Sequence, residues 1–358
     1  MAVTIKSSQE IELMRQAGKI LAKVHEGLKK ELKPGMSTLD IDRIGEEMIR
    51  SFGCEPSFKN YQGYPASVCV SINEEVVHGI PRKDRIIEEG DIVSLDTGVI
   101  YKGYQSDAAR THGVGEITED ARVLIERTRQ SFFEGMKYAV AGNHLHDISG
   151  AIGDYAESFG YGVVRDLCGH GIGTHMHEDP EIPNYRKFRR GIKLRAGMTL
   201  AVEPMINLGT ERVVWMDDDW TVVTQDMDLS AHYENTILIR EGKPEILSLT
   251  DSGVMIQFCK AYRKEPEDIS EMEFARSKSG HDKNQIYLIK EKDEKFVYLV
   301  NGTPRTLDMP KKKNAKHIQI IKNLPIEVTE ILEENLSDLT VKRAIKQYCQ
   351  MNEGRQES

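Results

Sequence analysis

Residues 95–107 read LDTGVIYKGYQSD. Apolar residues, a Lys-Gly turn and then aromatic and polar residues make the pattern of a β-hairpin. Its two arms carry Asp96 and Asp107, in segments otherwise suited to a buried sheet, and neither aspartate has a basic neighbour in sequence. A two-residue turn at Tyr101-Lys102 sets Asp96 opposite Asp107. A bulged turn using Gly103 shifts the pairing by one residue and needs a second irregularity. Sequence alone leaves both registers open.

Outward from the hairpin the chain alternates. Ser7-x-x-Glu10 reads as a capping box ahead of a helix to about Leu32, with Ile11, Met14, Leu21, Val24 and Leu28 on one stripe. Pro34-Gly35 ends it, and Ser37-x-x-Asp40 opens a second helix to about Phe52. The strand-like segments ASVCVSIN, DIVSLDTGVIY and GYQSDAARTHGVG follow. The order then begins again: helical periodicity over 118–139 and 145–159, then YGVVRDLCG, MTLAVEPMIN, TVVTQD and ENTILIRE. Two helices followed by strands, twice over, imply an α+β domain of two related halves.

The chain has 358 residues, 39% apolar and 29% charged, which fits a soluble globular protein of two domains, or one large domain with an appendage. The start, MAVTIKSSQEIELMRQ, has no apolar core of a signal peptide, and no stretch approaches a membrane span. Cys54, Cys69, Cys168, Cys259 and Cys349 form no CxxC pair, which favours reduced thiols and a cytoplasmic location. A formal charge of −9 argues against nucleic-acid binding by the whole chain. Yet residues 276–322 hold twelve Lys+Arg against five Asp+Glu, a balance of +7.

Further apolar-flanked charges join the two aspartates. CGHGIGTHMHEDP (168–180) supplies His170, His175 and His177, AVEPMIN (201–207) supplies Glu203, and AHYENTILI (231–239) supplies Glu234. A single carboxylate in such a setting is as easily a satisfied core group. Two like charges ~5 Å apart, however, repel by roughly 3 kcal/mol at an effective dielectric near 20. Four converging carboxylates with no Arg or Lys among them must protonate or bind cations. Ionised, they sum to −4, so one divalent ion leaves −2 and two neutralise the cage.

Taken in order and spacing, NEEVVHGIP (73–81), LDTGVIYKGYQSDAART, CGHGIGTHMHEDP, AVEPMIN and SAHYENT resemble the signature of type I methionine aminopeptidases, over about residues 3–248. The resemblance implies the pita-bread fold, two pseudo-symmetric α+β halves. It also implies excision of the first methionine from nascent chains with a small second residue, as in Met1-Ala2 of this chain, by a water that two divalent ions activate. By motif match the metal ligands are Asp96, Asp107, His170, Glu203 and Glu234. His78 and His177 match two substrate-contacting histidines, and Glu203 doubles as proton shuttle. Tyr61, Tyr64, Cys69 and Trp220 match the methionine pocket. Met176 and Gln62 depart from the residues many relatives carry, and His175 matches no functional position. A cage of carboxylate oxygen and one imidazole admits Co, Mn, Fe or Zn. Relatives suggest a monomer. The rivals are a proline-directed aminopeptidase of the same fold and a catalytically inactive pita-bread protein that binds RNA or the ribosome.

These features divide the chain into a catalytic domain (1–250), a helical connector (251–275), a small β-barrel (276–325) and a polar, helical tail (326–358). The barrel segment resembles KOW-type, SH3-like domains of ribosomal-protein-like sequences, which implies ribosome or rRNA contact. Lys311, Lys312, Lys313 and Lys316 form a basic run able to track phosphates, while Tyr287, Phe296 and Tyr298 more readily fill a core than stack on bases. Asn284, where relatives often have Gly, tolerates a left-handed turn.

Overall fold

The computed structural model describes residues 3–249 and most of 273–353. The chain divides into two compact units, Met1–Val254 and Met255–Ser358. In the first, helix α1 (Ser8–Glu31) starts where Ser7 and Glu10 cap one another, and α2 (Thr38–Ser51) starts on the same exchange between Ser37 and Asp40. Leu21, Val24 and Leu28 of α1 and Ile41 and Ile49 of α2 pack on Val68, Val70, Val93, Leu95 and Val99 of the first sheet. Each such side chain, fully buried, contributes roughly 2 kcal/mol. About two turns before Leu21 on α1, Met14 packs against Ala201, Leu238 and Leu247 of the second half. The first helix thus serves both halves.

Helices α3 (Glu119–Met136) and α4 (Leu145–Glu157) repeat the arrangement. Ala121 and Leu124 of α3 and Ala156 of α4 bury against Val163, Ile206 and Ala231. The second half's largest sheet is antiparallel, in the order Glu245–Ile246, Asn235–Leu238, Thr199–Val202, Gly169–Gly171, Glu178–Ile182.

The hairpin adopts neither register considered from sequence. Strand Ile92–Tyr101 pairs with Tyr104–Gly113 so that Tyr101 faces Tyr104. The turn is Lys102-Gly103, with φ of 50° and 82°, the two positive values that a type I′ hairpin demands. Gly98 therefore faces Asp107, and Asp96 faces Ala109. Cross-strand partners share a face, so the two carboxylates are diagonal neighbours on one face rather than directly opposed.

Strand Tyr104–Gly113 is tied to the second half by a run of buried bonds. Glu234 N–H donates to Ala109 O (3.0 Å), and the Thr236 hydroxyl both accepts from Asp107 N–H (2.8 Å) and donates to Asp107 O (2.9 Å). Thr111 makes the same two-way exchange with the backbone of His232, at 2.8 and 2.9 Å.

In the second unit the expected barrel is an antiparallel sheet of five strands, in the order Lys311–Asn314, Phe296–Val300, Ile286–Lys292, Phe274–Ser277, Ile318–Ile321. A short 3-10 turn at Ala315–His317 separates the two edge strands, and among the described residues no pairing joins them. One face buries Ala275, Tyr287, Val297, Leu299 and Ile318. The other buries Phe274, Ile286, Leu288 and Val300 against Val328, Leu332, Val341 and Ala344, the last two on helix Asp338–Glu353. Tail residues thus complete this second core. Asn284 does take a left-handed conformation, φ 71°. Of the connector expected at 251–275, residues 251–272 lie outside the described part. Among the described residues no helix is long and apolar enough to cross a membrane.

Gly18 marks where α1 meets the second half, because a Cβ there would lie 2.2 Å from Leu247 O. Helix propensity alone favours Gly18→Ala by about 1 kcal/mol. The clash is with backbone and opposes it by about 1–3 kcal/mol or more. Denaturant unfolding should therefore show Gly18→Ala less stable than the wild type, the reverse of the propensity ranking.

Candidate metal centre

Each acidic group reaches the centre from a different element. Asp96 and Asp107 come from the hairpin, His170 from strand Gly169–Gly171, Glu203 from the end of Thr199–Val202, and Glu234 from just before Asn235–Leu238. The glycines around His170 have a steric cause. A Cβ at Gly169 would sit 2.3 Å from Ala201 O, and one at Gly171 would sit 2.1 Å from Asp179 O. Only a strand bare on both sides of His170 fits between its neighbours.

The side chains converge. Ligand atoms of Asp107, His170 and Glu234 all lie within 4.8 Å of one another. His170 Nε2 is 4.0 Å from Asp107 Oδ2 and 3.8 Å from Glu203 Oε1. Asp96 lies across the strand pair from Cys69 and on the Asp107 face of the hairpin. Asp96, Asp107, His170 and Glu234 are buried and Glu203 half-buried. Arg110, half-buried, bears electrostatically on Glu234, yet the Glu234 carboxyl stays well above its usual range. Its guanidinium donates to the backbone carbonyls of Ala109 and Glu234 and to Asn235 Oδ1.

Electrostatics follow from burial. Desolvation pushes the Asp96, Glu203 and Glu234 carboxyls well above their usual range, and the neighbouring Asp107 adds repulsion to each; desolvation takes Asp107 up to about 7. Desolvation drives the imidazoles the other way, to about 3 for His170 and about 4 for His78, with His177 adding to both shifts.

The donor set fits divalent cations. Asp96 Oδ1 and Glu234 Oε1 are buried without a hydrogen-bond partner. His170 Nδ1 lies 2.9 Å from Gly171 O; a carbonyl only accepts, so the proton is on Nδ1 and the Nε2 lone pair faces the cup. Hard oxygen donors, one imidazole lone pair and no competing cation make a cation site.

Beside the cup, Tyr61, Tyr64, Cys69, Met176 and Trp220 gather into one apolar cluster. Tyr64 and Trp220 meet edge to face at 5.1 Å, and the Tyr64 hydroxyl donates to Gly79 O. His177 stands at the mouth, exposed, its Nδ1 2.9 Å from the Tyr61 hydroxyl and its ring 4.3 Å from that of His170. His78 holds a left-handed backbone (φ 60°) after strand Glu75–Val77, with its ring 6.2 Å from Trp220. Gln62 is exposed, and so is His175, in the loop beside His177.

The sequence reading missed His232 and the pocket residues Phe58, Ala66 and Ile80. His232 is 1% exposed, neither ring nitrogen has a partner, and Nε2 stands 3.8 Å from Glu203 Oε2. A histidine two residues before Glu234, on the same strand-like stretch, was the available signal.

The lysine run divides. Lys311 and Lys313 ion-pair with Asp282 at 2.8 and 2.7 Å, and Lys313 also donates to Ser277 and Ser279. Burial alone would raise the Asp282 carboxyl, but hydrogen bonds from both lysines and Tyr287 hold it well below its usual range. Lys312 and Lys316 are exposed, Lys312 lying 4.3 and 5.4 Å over the Phe296 and Tyr298 rings. Four free phosphate contacts are thereby reduced to two.

Residues 12–241 match the profile of metallopeptidase family M24. The methionine aminopeptidase of Clostridium acetobutylicum is 57% identical over 249 residues, 70% of this chain and 100% of that protein. The chain belongs to metallopeptidase family M24. It is a hydrolase, a metallo-exopeptidase, on the methionine aminopeptidase branch. Methionine aminopeptidase 1 of Bacillus subtilis is 46% identical over 69% of this chain and 99% of its own length. The crystal structure of the Thermotoga maritima methionine aminopeptidase matches with TM-score 0.68 and 44% identity, covering 70% of this chain and all of that one. An Xaa-Pro dipeptidase from Bacillus anthracis shares the fold more distantly, at TM-score 0.57 and 25% identity, over 69% of this chain and 62% of that one. The pita-bread fold expected from sequence is therefore this enzyme's fold. The family match ends at residue 241, before the second unit begins.

Carboxyls raised in the metal-free folded state hold protons that the unfolded chain has released. Stability from that source is full below the unfolded value near pH 4 and is lost as pH rises through the folded one, about 7 for Asp107. In chelator, Asp107→Asn should gain stability relative to the wild type between about pH 5 and 8. Added Mn²⁺ or Co²⁺ should stabilise the wild type and not the variant. Parallel denaturation midpoints across that window would refute the electrostatic account.

Proposed function

We propose that this chain removes the N-terminal methionine from nascent proteins and peptides whose second residue is small. The observation that carries this reading is adjacency: Cys69 of the apolar pocket and Asp96 of the acidic cup are cross-strand partners. A methionine side chain seated in the pocket therefore brings the first peptide bond to the cup. Burying that side chain contributes roughly 2 kcal/mol, and the thioether suits a pocket of aromatic rings and sulfur.

The proposed ligands are Asp96, Asp107, His170, Glu203 and Glu234, and the four carboxylate charges favour two divalent ions, of Co, Mn, Fe or Zn. When bound, such ions supply Lewis acidity and lower the pKa of a water. The remaining chemistry belongs to the chain. Glu203 takes the proton of the attacking water and delivers it to the departing amine. The pKa of His177 is lowered by desolvation, which favours the neutral ring. The Tyr61 hydroxyl lies 2.9 Å from Nδ1; in the proposed tautomer it donates there and the His177 proton sits on Nε2, placed to donate to the substrate carbonyl as negative charge develops. Neutral His78 hydrogen-bonds the scissile amide. The proline-directed rival has less support, because the matched dipeptidase is covered over only 62% of its length whereas the methionine enzymes are covered almost completely. The inactive-binder rival predicts no turnover of a Met-Ala-Ser peptide. On that peptide, Glu203→Gln should lower kcat by about 10²–10⁴-fold. Turnover within a few fold of wild type would remove the shuttle role.

For the second unit we propose a KOW-like, SH3-like module that contacts the ribosome or rRNA, supported by the exposed lysines Lys312 and Lys316, the first of them lying over the Phe296 and Tyr298 rings. Such a tether would raise the local concentration of nascent chains. Charge reversal at both, Lys312→Glu with Lys316→Glu, should reduce ribosome co-sedimentation of the full chain and flatten its salt dependence. Equal, salt-insensitive partitioning of variant and wild type would eliminate the tether.

A further inference from the structure

Outside the cup and pocket, a buried ion pair has no part in the chemistry described so far. Lys6 Nζ lies 2.6 Å from Glu178 Oε2, and both side chains are only 5% exposed. Thr4 Oγ1 donates to the same oxygen at 2.8 Å, while Glu178 Oε1 accepts from the His175 amide at 3.3 Å. The Lys6 amide donates to Gly197 O at 2.8 Å, which fixes the segment to the turn ahead of the strand leading to Glu203. Glu178 directly follows His177.

The loop between His170 and His177 rests on this pair. A Cβ at Gly173 would lie 2.4 Å from Glu178 Oε1 and 2.6 Å from Lys6 Nζ, so a side chain there would have to displace the ion pair. Gly173 O accepts from the Gln105 amide at 2.8 Å and Gly173 N–H donates to His175 O at 3.1 Å, closing the loop on its other side. Net stabilisation is a poor reason for such a pair, since shape-matched apolar replacements of buried ion pairs are often neutral or better. What the pair does provide is a fixed length and direction beneath the residue that must point a ring nitrogen at the substrate.

We propose that Lys6 and Glu178 are positioning residues that hold the 172–178 loop, and through it the orientation of His177, for the reaction. The inference rests on the role assigned to His177 above. If it holds, a lysine far from the cup in sequence acts on turnover without touching substrate, because a misplacement of about 1 Å can cost on the order of 10²-fold in rate.

The test uses the full chain loaded with metal and a Met-Ala-Ser peptide. Lys6→Met combined with Glu178→Gln removes both charges, keeps the approximate shape and strands no buried charge. This pair variant should keep its thermal midpoint and bound metal while kcat falls about tenfold or more at nearly constant KM. If it does not fold, Glu178→Gln alone, whose single amide oxygen can accept from Lys6 or from the His175 N–H but not from both, should lower kcat by a smaller factor in the same manner. The decisive arm is a cycle with His177→Ala: in that background the pair substitution should change kcat less than about twofold. An equal loss in both backgrounds makes the pair merely structural and overturns the proposal, as does wild-type kcat in the pair variant. Wild-type kcat in His177→Ala itself removes the reading beneath the proposal, and the proposal with it. A crippled His177→Ala beside an unimpaired pair variant overturns the pair alone.

Discussion

Four carboxyl groups, three of them buried and one half-buried, gathered around His170 and on one face of the hairpin, set the terms for the rest of the catalytic unit. At an effective dielectric near 20, unit charges ~4 Å apart repel by about 4 kcal/mol per pair. That sum rivals the whole stability of an ordinary domain. The scaffold must therefore hold in place groups that would otherwise separate or stay protonated. Its means is backbone, not countercharge. The Asp107 amide and carbonyl are both held by Thr236, the Glu234 amide by Ala109 O, and the Glu203 carbonyl by Asn184. Arg110, which could have neutralised the cup, is spent on main-chain carbonyls and on Asn235. An arrangement that keeps like charges together and turns the available cation away is one built to be completed by cations.

The same geometry joins recognition to chemistry. Strand Val68–Ile72 sends Cys69 into the apolar cluster, while its partner strand sends Asp96 into the cup. No loop intervenes between the strand position that lines the apolar cluster and the strand position of a proposed metal donor. The Gly169-His170-Gly171 strand delivers an imidazole between two neighbours with no space for a side chain on either flank.

Much of this was legible in the amino-acid sequence, for identifiable reasons. Ser7/Glu10 and Ser37/Asp40 gave helix starts to within a residue, because a capping box is a local hydrogen-bond exchange. The ligand candidates stood out as apolar-flanked charges, and the five pocket residues only through the family resemblance. Non-local quantities were harder. The hairpin register depended on Lys102 accepting a left-handed conformation, which a side chain rarely does, so turns placed at Tyr101-Lys102 or through a bulge looked equally natural. His232 escaped notice because one histidine in an apolar run is usually a satisfied core residue; only its unpartnered nitrogens and its distance to Glu203 reveal otherwise. Where a small barrel was expected, the described strands form a five-stranded sheet with no pairing between its edges and with one face covered by tail residues, a packing that strand patterns alone cannot convey.

Charge sign sorts the buried groups of this chain into kinds. In the cup, acidic groups meet with only partial relief, at Glu234 from Arg110, and the cost of ionising them there favours a cationic ligand. At Asp282 unlike charges meet, and the lysines that in sequence resemble a phosphate track are half consumed inside their own unit. At Lys6–Glu178 unlike charges also meet, but beneath a loop that ends on His177. Proximity of opposite charges is thus compatible with bland packing or with positioning, and only the attached element separates the two. Uncompensated proximity of like charges has fewer explanations. That asymmetry lets the acidic cup bear a functional argument that a row of lysines, counted from sequence, cannot.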